Sequence, residues 1–214
     1  MASAASEAVQ IRDAATLILV RDPATAPKVL MGRRLRGAVF MPGKFVFPGG
    51  AVDSGDAAVS LSGALGPACL ARLAETGAGP PHRFAAAAIR ELWEETGLAF
   101  AEPGAFTAPG PDWTGLAVRG LRPSAKGLAY VFRAITPPGR TRRFDARFFL
   151  ADASGIAGDA DDFAGASGEL AELGWVPAHA LYGLDIAPVT RAVLDFVLPR
   201  LPELGPPETL PLRA

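Results

Sequence analysis

Between Arg90 and Leu98 the chain reads Arg-Glu-Leu-Trp-Glu-Glu-Thr-Gly-Leu, which places three carboxylates within five residues. On a helix of about 3.6 residues per turn, Glu91, Glu94 and Glu95 stand at i, i+3 and i+4 and project from one face. Carboxylates so close repel, and each favours protonation of the next unless a positive group sits among them. A hard divalent cation that takes oxygen ligands, Mg²⁺ or Mn²⁺, meets that need. The other face carries Ile89 and Trp93, with Ala85 and Ala86 a turn before, a stripe suited to packing on a sheet. A plain amphipathic helix with solvated glutamates has the same spacing, so the surroundings decide. Gly97 follows Thr96 as a natural C′ residue, and roughly forty residues upstream Phe47-Pro48-Gly49-Gly50 marks a strand that breaks into a tight loop.

Together these residues resemble the signature of the Nudix hydrolase family, G-x5-E-x7-R-E-U-x-E-E-x-G-U with U aliphatic. The match is complete from Arg90 to Leu98, Gly50 matches the opening glycine, and Asp56 stands where the family has its first glutamate. Ala57 to Ile89 is 33 residues where the family pattern has seven, so an insertion, taken as residues 57–82, splits the motif. A split box of this kind resembles the branch that includes a peroxisomal coenzyme A diphosphatase. A coenzyme A signature of the family, L-L-T-x-R-[SA]-x3-R-x3-G-x3-F-P-G-G, is met at Leu30, Arg34, Gly43 and Phe47 to Gly50. It is broken at Gly32, Leu35 and Val39.

The resemblance implies an α/β class fold, the Nudix α/β/α sandwich with a mixed sheet, as a single domain over residues 10–200 with a helical insertion inside the box. It implies a metal-dependent diphosphatase acting on a nucleoside diphosphate joined to another moiety, with coenzyme A or an acyl derivative as the leading substrate. ADP-ribose, dinucleotides and oxidised nucleotides are the alternatives, as is a catalytically silent ligand-binding regulator. By the same resemblance Glu91, Glu94 and Glu95 hold Mg²⁺ or Mn²⁺ together with the Gly49 carbonyl, one of the glutamates acts as base, and Arg90 orients them. Arg34 and Arg143, from the basic clusters at 33–36 and 140–143, are the candidates for phosphate oxygens. The partner is a small nucleotide-derived diphosphate, and a homodimer is compatible with the family.

Composition excludes other classes. With 214 residues, 50% hydrophobic and 20% charged, the chain can bury a full core. A net charge of −1 argues against general affinity for nucleic acid or an anionic membrane. Cys69 is the single cysteine, which rules out an intrachain disulfide and a cysteine zinc cluster and suits a reducing, cytoplasmic location. No apolar run approaches the ~20 residues that span a bilayer.

The remaining elements must bring Gly49, Asp56 and the glutamates together. Residues 1–12 read as a loose tail, Ala14–Val20 and Lys28–Met31 as strands joined by a hairpin loop, and 32–36 as a basic loop. Leu61, Leu65, Leu70 and Leu73 predict two short helices divided at Gly66-Pro67, forming either a cap beside the site or a surface elaboration. His82 reads as a cap or loop residue before the main helix, and 99–120 as loop with Trp113 over an edge or pocket. Strands follow at Leu128–Ile135 and Arg142–Leu150. Glu169 or Glu172, before Trp175, is a weak candidate for an extra carboxylate, His179 reads as structural, and Ile186–Leu201 closes as an amphipathic helix before a Pro-rich tail.

Overall fold

The computed structural model describes residues 9–214; the first eight residues of the tail read at 1–12 lie outside the described residues. The strands are β1 (Ile11–Arg21), β2 (Lys28–Arg34), β3 (Phe45–Val46), β4 (Gly49–Ala51), β5 (Ala101–Pro103), β6 (Leu121–Pro123), β7 (Ala129–Ile135), β8 (Arg143–Asp152), β9 (Leu170–Pro177) and β10 (Leu212–Arg213). The helices are α1 (Pro67–Ala74), α2 (Arg83–Thr96), α3 (Thr114–Val118) and α4 (Pro188–Val197). Eight strands form one mixed sheet in the order β10-β7-β8-β1-β2-β3, with β4 on β1 and β9 on β2, while β5 and β6 pair separately.

Alternation along β1 builds the three layers. Ala15, Leu17 and Leu19 belong to the core under α1 and α2, whereas Ile18 and Val20 belong to the core under α4. β1 and β8 run parallel over ten register pairs in the middle of the sheet, and both are strongly apolar there, as a strand covered on two faces must be. Helix α2 owes its place to Ala85 to Ala88, which favour helix and are small enough to bring its axis close to the sheet. It is buried continuously from Arg83 to Arg90, so it is an interior helix rather than an amphipathic surface one, and it becomes partly exposed from Glu91 onward. Gly97 ends it at φ 77°, with its N–H donating to the Trp93 carbonyl at 2.8 Å.

The insertion contains one α-helix, not two. Residues 54–58 form a 3₁₀ turn, Leu61 is in an irregular segment, and Pro67 starts α1 at its first helical position, where a missing N–H costs nothing. Helix α1 packs Cys69 and Leu73 into the same core as α2, and Cys69 Sγ accepts the Tyr130 N–H at 3.3 Å. Ser62 bridges to Ser124 and Arg72 donates to the Glu208 carbonyl, so the insertion runs away from Asp56 across the sheet. His82 Nε2 lies 3.1 Å from the Ala57 carbonyl, which ties the insertion's two ends together. That contact explains how a long insertion leaves the motif's geometry intact.

Tertiary pairing also changed other readings. Arg33 and Arg34 continue β2 because β3 and β9 pair there, and the 99–120 segment gains β5, a 3₁₀ turn and α3. Trp113 is buried against Phe106. The Pro-rich tail contributes β10 to the edge of the sheet. Among the described residues no helix is long and apolar enough to cross a membrane.

Candidate active site

Strand β4 presents its backbone to helix α2. Val52 N–H donates to the Asp13 carbonyl and Leu17 N–H to the Pro48 carbonyl, at 2.9 and 3.0 Å. In an antiparallel ladder, bonded and non-bonded pairs alternate, so Gly49 and Ala51 turn their N–H and C=O groups away from β1. The Gly49 N–H accordingly donates to Glu95 Oε2 at 2.9 Å, and the Ala51 carbonyl accepts Arg90 Nη2 at 2.8 Å. Gly49 is held by backbone contacts of β1, whereas a side chain at Gly50 would push against the Glu91 carboxylate. A Cβ on Gly49 would lie 2.5 Å from Thr16 Oγ1, and one on Gly50 would lie 2.4 Å from Glu91 Oε2.

Arg90 is the hub. Its Nε and Nη2 hold both Asp56 oxygens at 2.9 and 3.0 Å, and its Nη1 holds Glu91 at 2.8 Å and Glu94 at 3.1 Å. Asp53 stands 3.7 Å from the same guanidinium. Asp56 is 1% exposed, and the 3₁₀ turn bearing it is closed by the Asp53 N–H donating to Asp56 Oδ2 at 2.8 Å. The aspartate is therefore consumed by one edge of Arg90, which leaves Nη1 on the other side to set the positions of Glu91 and Glu94. Arg34, at the end of β2, brings a second cation to 3.7 Å from Glu95.

The acids outnumber the cations, and the titrations reflect it. Burial pushes the Glu91 carboxyl up to about 7 against the pull of Arg90. Burial also raises Glu95, to about 8, against the Gly49 N–H and Arg34, with the charges of Glu91 and Glu169 adding to the rise. Glu94 is raised by burial, opposed by Arg90, with Asp112 contributing. Burial disfavours the charge on Arg90, but Asp56, Glu91 and Glu94 more than offset it and the net shift is upward.

The structure brings together Arg90, Glu91, Glu94, Glu95, Gly49 and Arg34 around one junction. It does not bring Arg143 there. That residue opens β8 opposite Ile11, five register positions from the level of Gly49 and Thr16, and its Nε donates to the Thr136 carbonyl at 3.0 Å. Five positions are roughly 16 Å of strand. Of the two late glutamates, Glu172 pairs with Arg33 at 2.8 Å, whereas the charge of Glu169 is felt at Glu95. Sequence reasoning missed Asp53, the Ala51 carbonyl and Asp112. The alternation of a short strand beside β1 was the one signal for Ala51; Asp112 arrives from a distant loop and had none. Among the described residues no three His, Cys, Asp or Glu side chains converge as a metal-binding cluster, because Glu91 and Glu94 turn to Arg90 and Glu95 to Gly49.

A cleft of about 300 Å³ opens beside this junction, lined by Asp53, Asp56, Arg90, Asp112 and Trp113. A larger one of about 930 Å³, between Phe100, Arg119, Lys126, Asp152 and Ile156, contains none of the site residues.

No family model matches the chain. It is 32% identical over 151 residues to putative nudix hydrolase 7 of Caenorhabditis elegans, an alignment that takes in 65% of this chain and 43% of that protein. The chain thus spans less than half the length of this relative. It superposes with a TM-score of 0.65 at 28% identity on the crystal structure of a NUDIX hydrolase from Alicyclobacillus acidocaldarius, covering 89% of this chain and 92% of that one. The NUDIX domain of Shewanella oneidensis NrtR, solved with ADP ribose, reaches a TM-score of 0.49 at 14% identity over 89% of this chain and 88% of that one, too weak a likeness to transfer its ligand. The mixed-sheet sandwich is a Nudix fold. The Nudix hydrolase family is supported for this chain by both the worm homologue and the Alicyclobacillus structure.

Proposed function

We propose that this chain is a metal-dependent pyrophosphohydrolase that cleaves the diphosphate of a nucleoside diphosphate linked to a second moiety, with coenzyme A or an acyl derivative as the leading substrate. The observation that carries the reading is the Arg90 hub: one guanidinium holds Asp56, Glu91 and Glu94 while a backbone N–H holds Glu95, so four carboxylates are kept within one small volume. Arg90 and Arg34 offset only part of that negative charge, since Glu91, Glu94 and Glu95 all stay raised by burial, and a further cation would complete the compensation.

By their chemistry these oxygen donors suit a hard divalent cation, and converging on it would require Glu91 and Glu94 to turn from Arg90 and Glu95 from the Gly49 N–H. Glu91, Glu94 and Glu95 offer oxygens, the Gly49 carbonyl is free of the β1 ladder, and the absent Cβ of Gly50 leaves room against the Glu91 carboxylate. These are the groups that would hold Mg²⁺ or Mn²⁺, which when bound would neutralise the diphosphate and lower the pKa of an attacking water. The chain's own residues do the rest. Asp56 and Ala51 fix Arg90, Arg90 fixes Glu91 and Glu94, and a carboxylate left free of the cation accepts the proton of the attacking water. Arg34 stands where it can bind phosphate oxygens, and Arg143 could meet only the far end of a long substrate.

The test is hydrolysis of a broad diphosphate panel by purified protein with Mg²⁺ or Mn²⁺, beside the Glu94→Gln variant. For a coenzyme A substrate the expected products are 4′-phosphopantetheine and 3′,5′-ADP. Glu94→Gln is expected to lower kcat/KM by roughly 10²-fold or more. Faster cleavage of ADP-ribose would defeat the coenzyme A assignment. Tight binding of a panel member without any turnover would defeat the enzyme and leave a silent binding module.

A further inference from the structure

The cleft of about 300 Å³ that reaches Arg90 lies between two short turns, and both of its walls are fixed by their own hydrogen bonds. One wall is the turn at 54–58, where Asp53 N–H donates to Asp56 Oδ2 at 2.8 Å and Asp56 N–H donates to the Asp53 carbonyl at 3.1 Å. The other is the turn at 111–113, begun by Pro111 and closed by the Trp113 N–H, which donates to the Gly110 carbonyl at 3.2 Å. The Phe106 ring meets Trp113 edge-on at 6.0 Å and holds it in place. Helix α3 continues from this second turn and docks directly on α2, where a Cβ on Gly115 would stand 2.9 Å from the Trp93 ring.

The cleft therefore adjoins the glutamates in space. Arg90 and Asp56, both almost fully buried, line it, and the Nη1 of that same Arg90 holds Glu91 and Glu94. The charge of Asp53 is felt at Glu91 and Glu94, and that of Asp112 at Glu94. Its chemistry says what it can take. Among the described residues that line it, Arg90 is the only cation, and that guanidinium is already spent on Asp56, Glu91 and Glu94. Asp53 comes no nearer than 3.7 Å to Arg90 and 3.9 Å to Arg12, and its side chain is 56% exposed. Asp112 is exposed on the facing wall, and Ser54 adds a hydroxyl. A phosphate or carboxylate placed there meets two carboxylates at close range, whereas a hydroxyl, an amide N–H or an ammonium finds acceptors.

We infer that the cleft between Asp53 and Asp112 seats the moiety joined to the diphosphate, and that it selects an uncharged or positive arm rich in hydrogen-bond donors. A hydroxyl- and amide-bearing chain or a neutral sugar meets that requirement; an arm carrying a phosphate or carboxylate does not. This rests on the diphosphate reading above, and it adds to it the two residues that set the charge of the arm. The phosphates stay with Arg34 and the cation, so attraction on one side and repulsion on the other orient the substrate.

The experiment uses four ADP esters of similar size, whose terminal phosphate carries a propyl, hydroxypropyl, aminopropyl or carboxyethyl group. Affinity is measured by calorimetry on the full chain with Mg²⁺, and turnover is measured in parallel. The wild type is expected to bind the amino ester at least about tenfold more tightly than the carboxy ester, with hydroxypropyl ahead of propyl, because the two rim carboxylates act on opposite charges at short range. Asp53→Asn combined with Asp112→Asn is expected to bring that ratio close to one, whereas Glu203→Gln, at an exposed acid outside the cleft, leaves it unchanged. A flat series in the wild type overturns the inference, as does an order that survives the paired substitution. An order that Glu203→Gln lowers equally also overturns it, by making it an effect of net charge. A second bound equivalent of Mg²⁺ that Asp112→Asn removes would overturn it too, by assigning the cleft to a cation. The same charge order in binding without hydrolysis of any ester would leave the cleft standing and defeat the hydrolase reading alone.

Discussion

Helix α2 carries an ionic cluster at each end, and the two have opposite charge balances. At its first turn, Asp13 receives Arg83 at 2.6 Å and Arg147 at 2.7 Å, and Asp145 receives Arg133 at 2.6 Å and Arg147 at 3.1 Å. Three arginines meet two aspartates, and the Arg83 and Arg147 guanidiniums also cover the Phe84 ring at 4.0 and 4.2 Å. At the other end one buried arginine meets Asp56, Glu91 and Glu94, with Glu95 beside them. The first cluster is close to electroneutral and joins β1, β8, α2 and the end of the insertion, where Arg147 donates to the Thr76 carbonyl. The second is left with excess negative charge in a desolvated place. A paired cluster is a structural joint, whereas an unbalanced one is built to receive something of opposite sign.

The largest effects should separate along that line. Arg147→Ala leaves Asp13 with Arg83 and Asp145 with Arg133 but removes a fully buried side chain that joins β1, β8 and the insertion, and should lower unfolding stability by about 1–3 kcal/mol, read by denaturant titration. Glu95→Gln should leave stability the same or raised, because Gln keeps an acceptor for the Gly49 N–H and cannot ionise in this buried place, and should lower kcat/KM by roughly 10²–10⁴-fold. The comparison breaks if Arg147→Ala retains full stability, or if Glu95→Gln unfolds the chain.

A pH experiment sharpens the second half. The carboxyls of Glu91 and Glu95 are raised to about 7 and 8 in the folded protein, above their ordinary value of 4.5. The fold therefore binds these protons more tightly than the unfolded chain does, and their stabilising contribution is present below pH 4.5 and is lost as pH rises to about 8. For these two groups, metal-free protein in chelator should lose Tm across that window, and added Mg²⁺ should raise Tm more at pH 8.5 than at pH 5. Equal stabilisation by Mg²⁺ at both pH values would show that the glutamates do not receive the ion.

The smallest effects compare two glycines. A Cβ at Gly77 would stand 2.9 Å from Arg83 Nη2, and one at Gly50 would stand 2.4 Å from Glu91 Oε2. Gly77→Ala should cost about 1 kcal/mol of stability by crowding the joint and leave KM and kcat close to wild type. Gly50→Ala should displace Glu91 and lower Mg²⁺ affinity about tenfold with a similar Tm. Reversed readouts would mean that the two clusters had been assigned to the wrong roles.

Much of this was legible in the chain. The spacing of Glu91, Glu94 and Glu95, the stop at Gly97 and the break at Pro48-Gly49-Gly50 are local, and local geometry follows from residue type. The strands at 14–20, 28–31, 128–135 and 142–150 were readable because apolar runs bounded by turn residues have few alternatives. The second insertion helix was misread because the leucine stripe is also what a segment shows when it drapes over a sheet, and Leu61 lies beside the Ser62 bridge to Ser124. The continuation of β2 through Arg34 was hidden because a basic run looks like a loop until β3 and β9 supply its ladder partners.

The sequence by itself determined that a helix would carry three carboxylates on one face and end at Gly97, because helical spacing and capping are set within a few residues. Motif position already singled out Asp56, 34 positions before Arg90, but only the tertiary structure decided that both its oxygens would be taken by the Arg90 guanidinium, since the insertion between them returns to its starting point through His82 and Ala57. It also decided that the Gly49 N–H would face Glu95, because which edge of a short strand is free depends on the register it takes against β1. Charge balance, unlike periodicity, is a property of what long-range folding brings together.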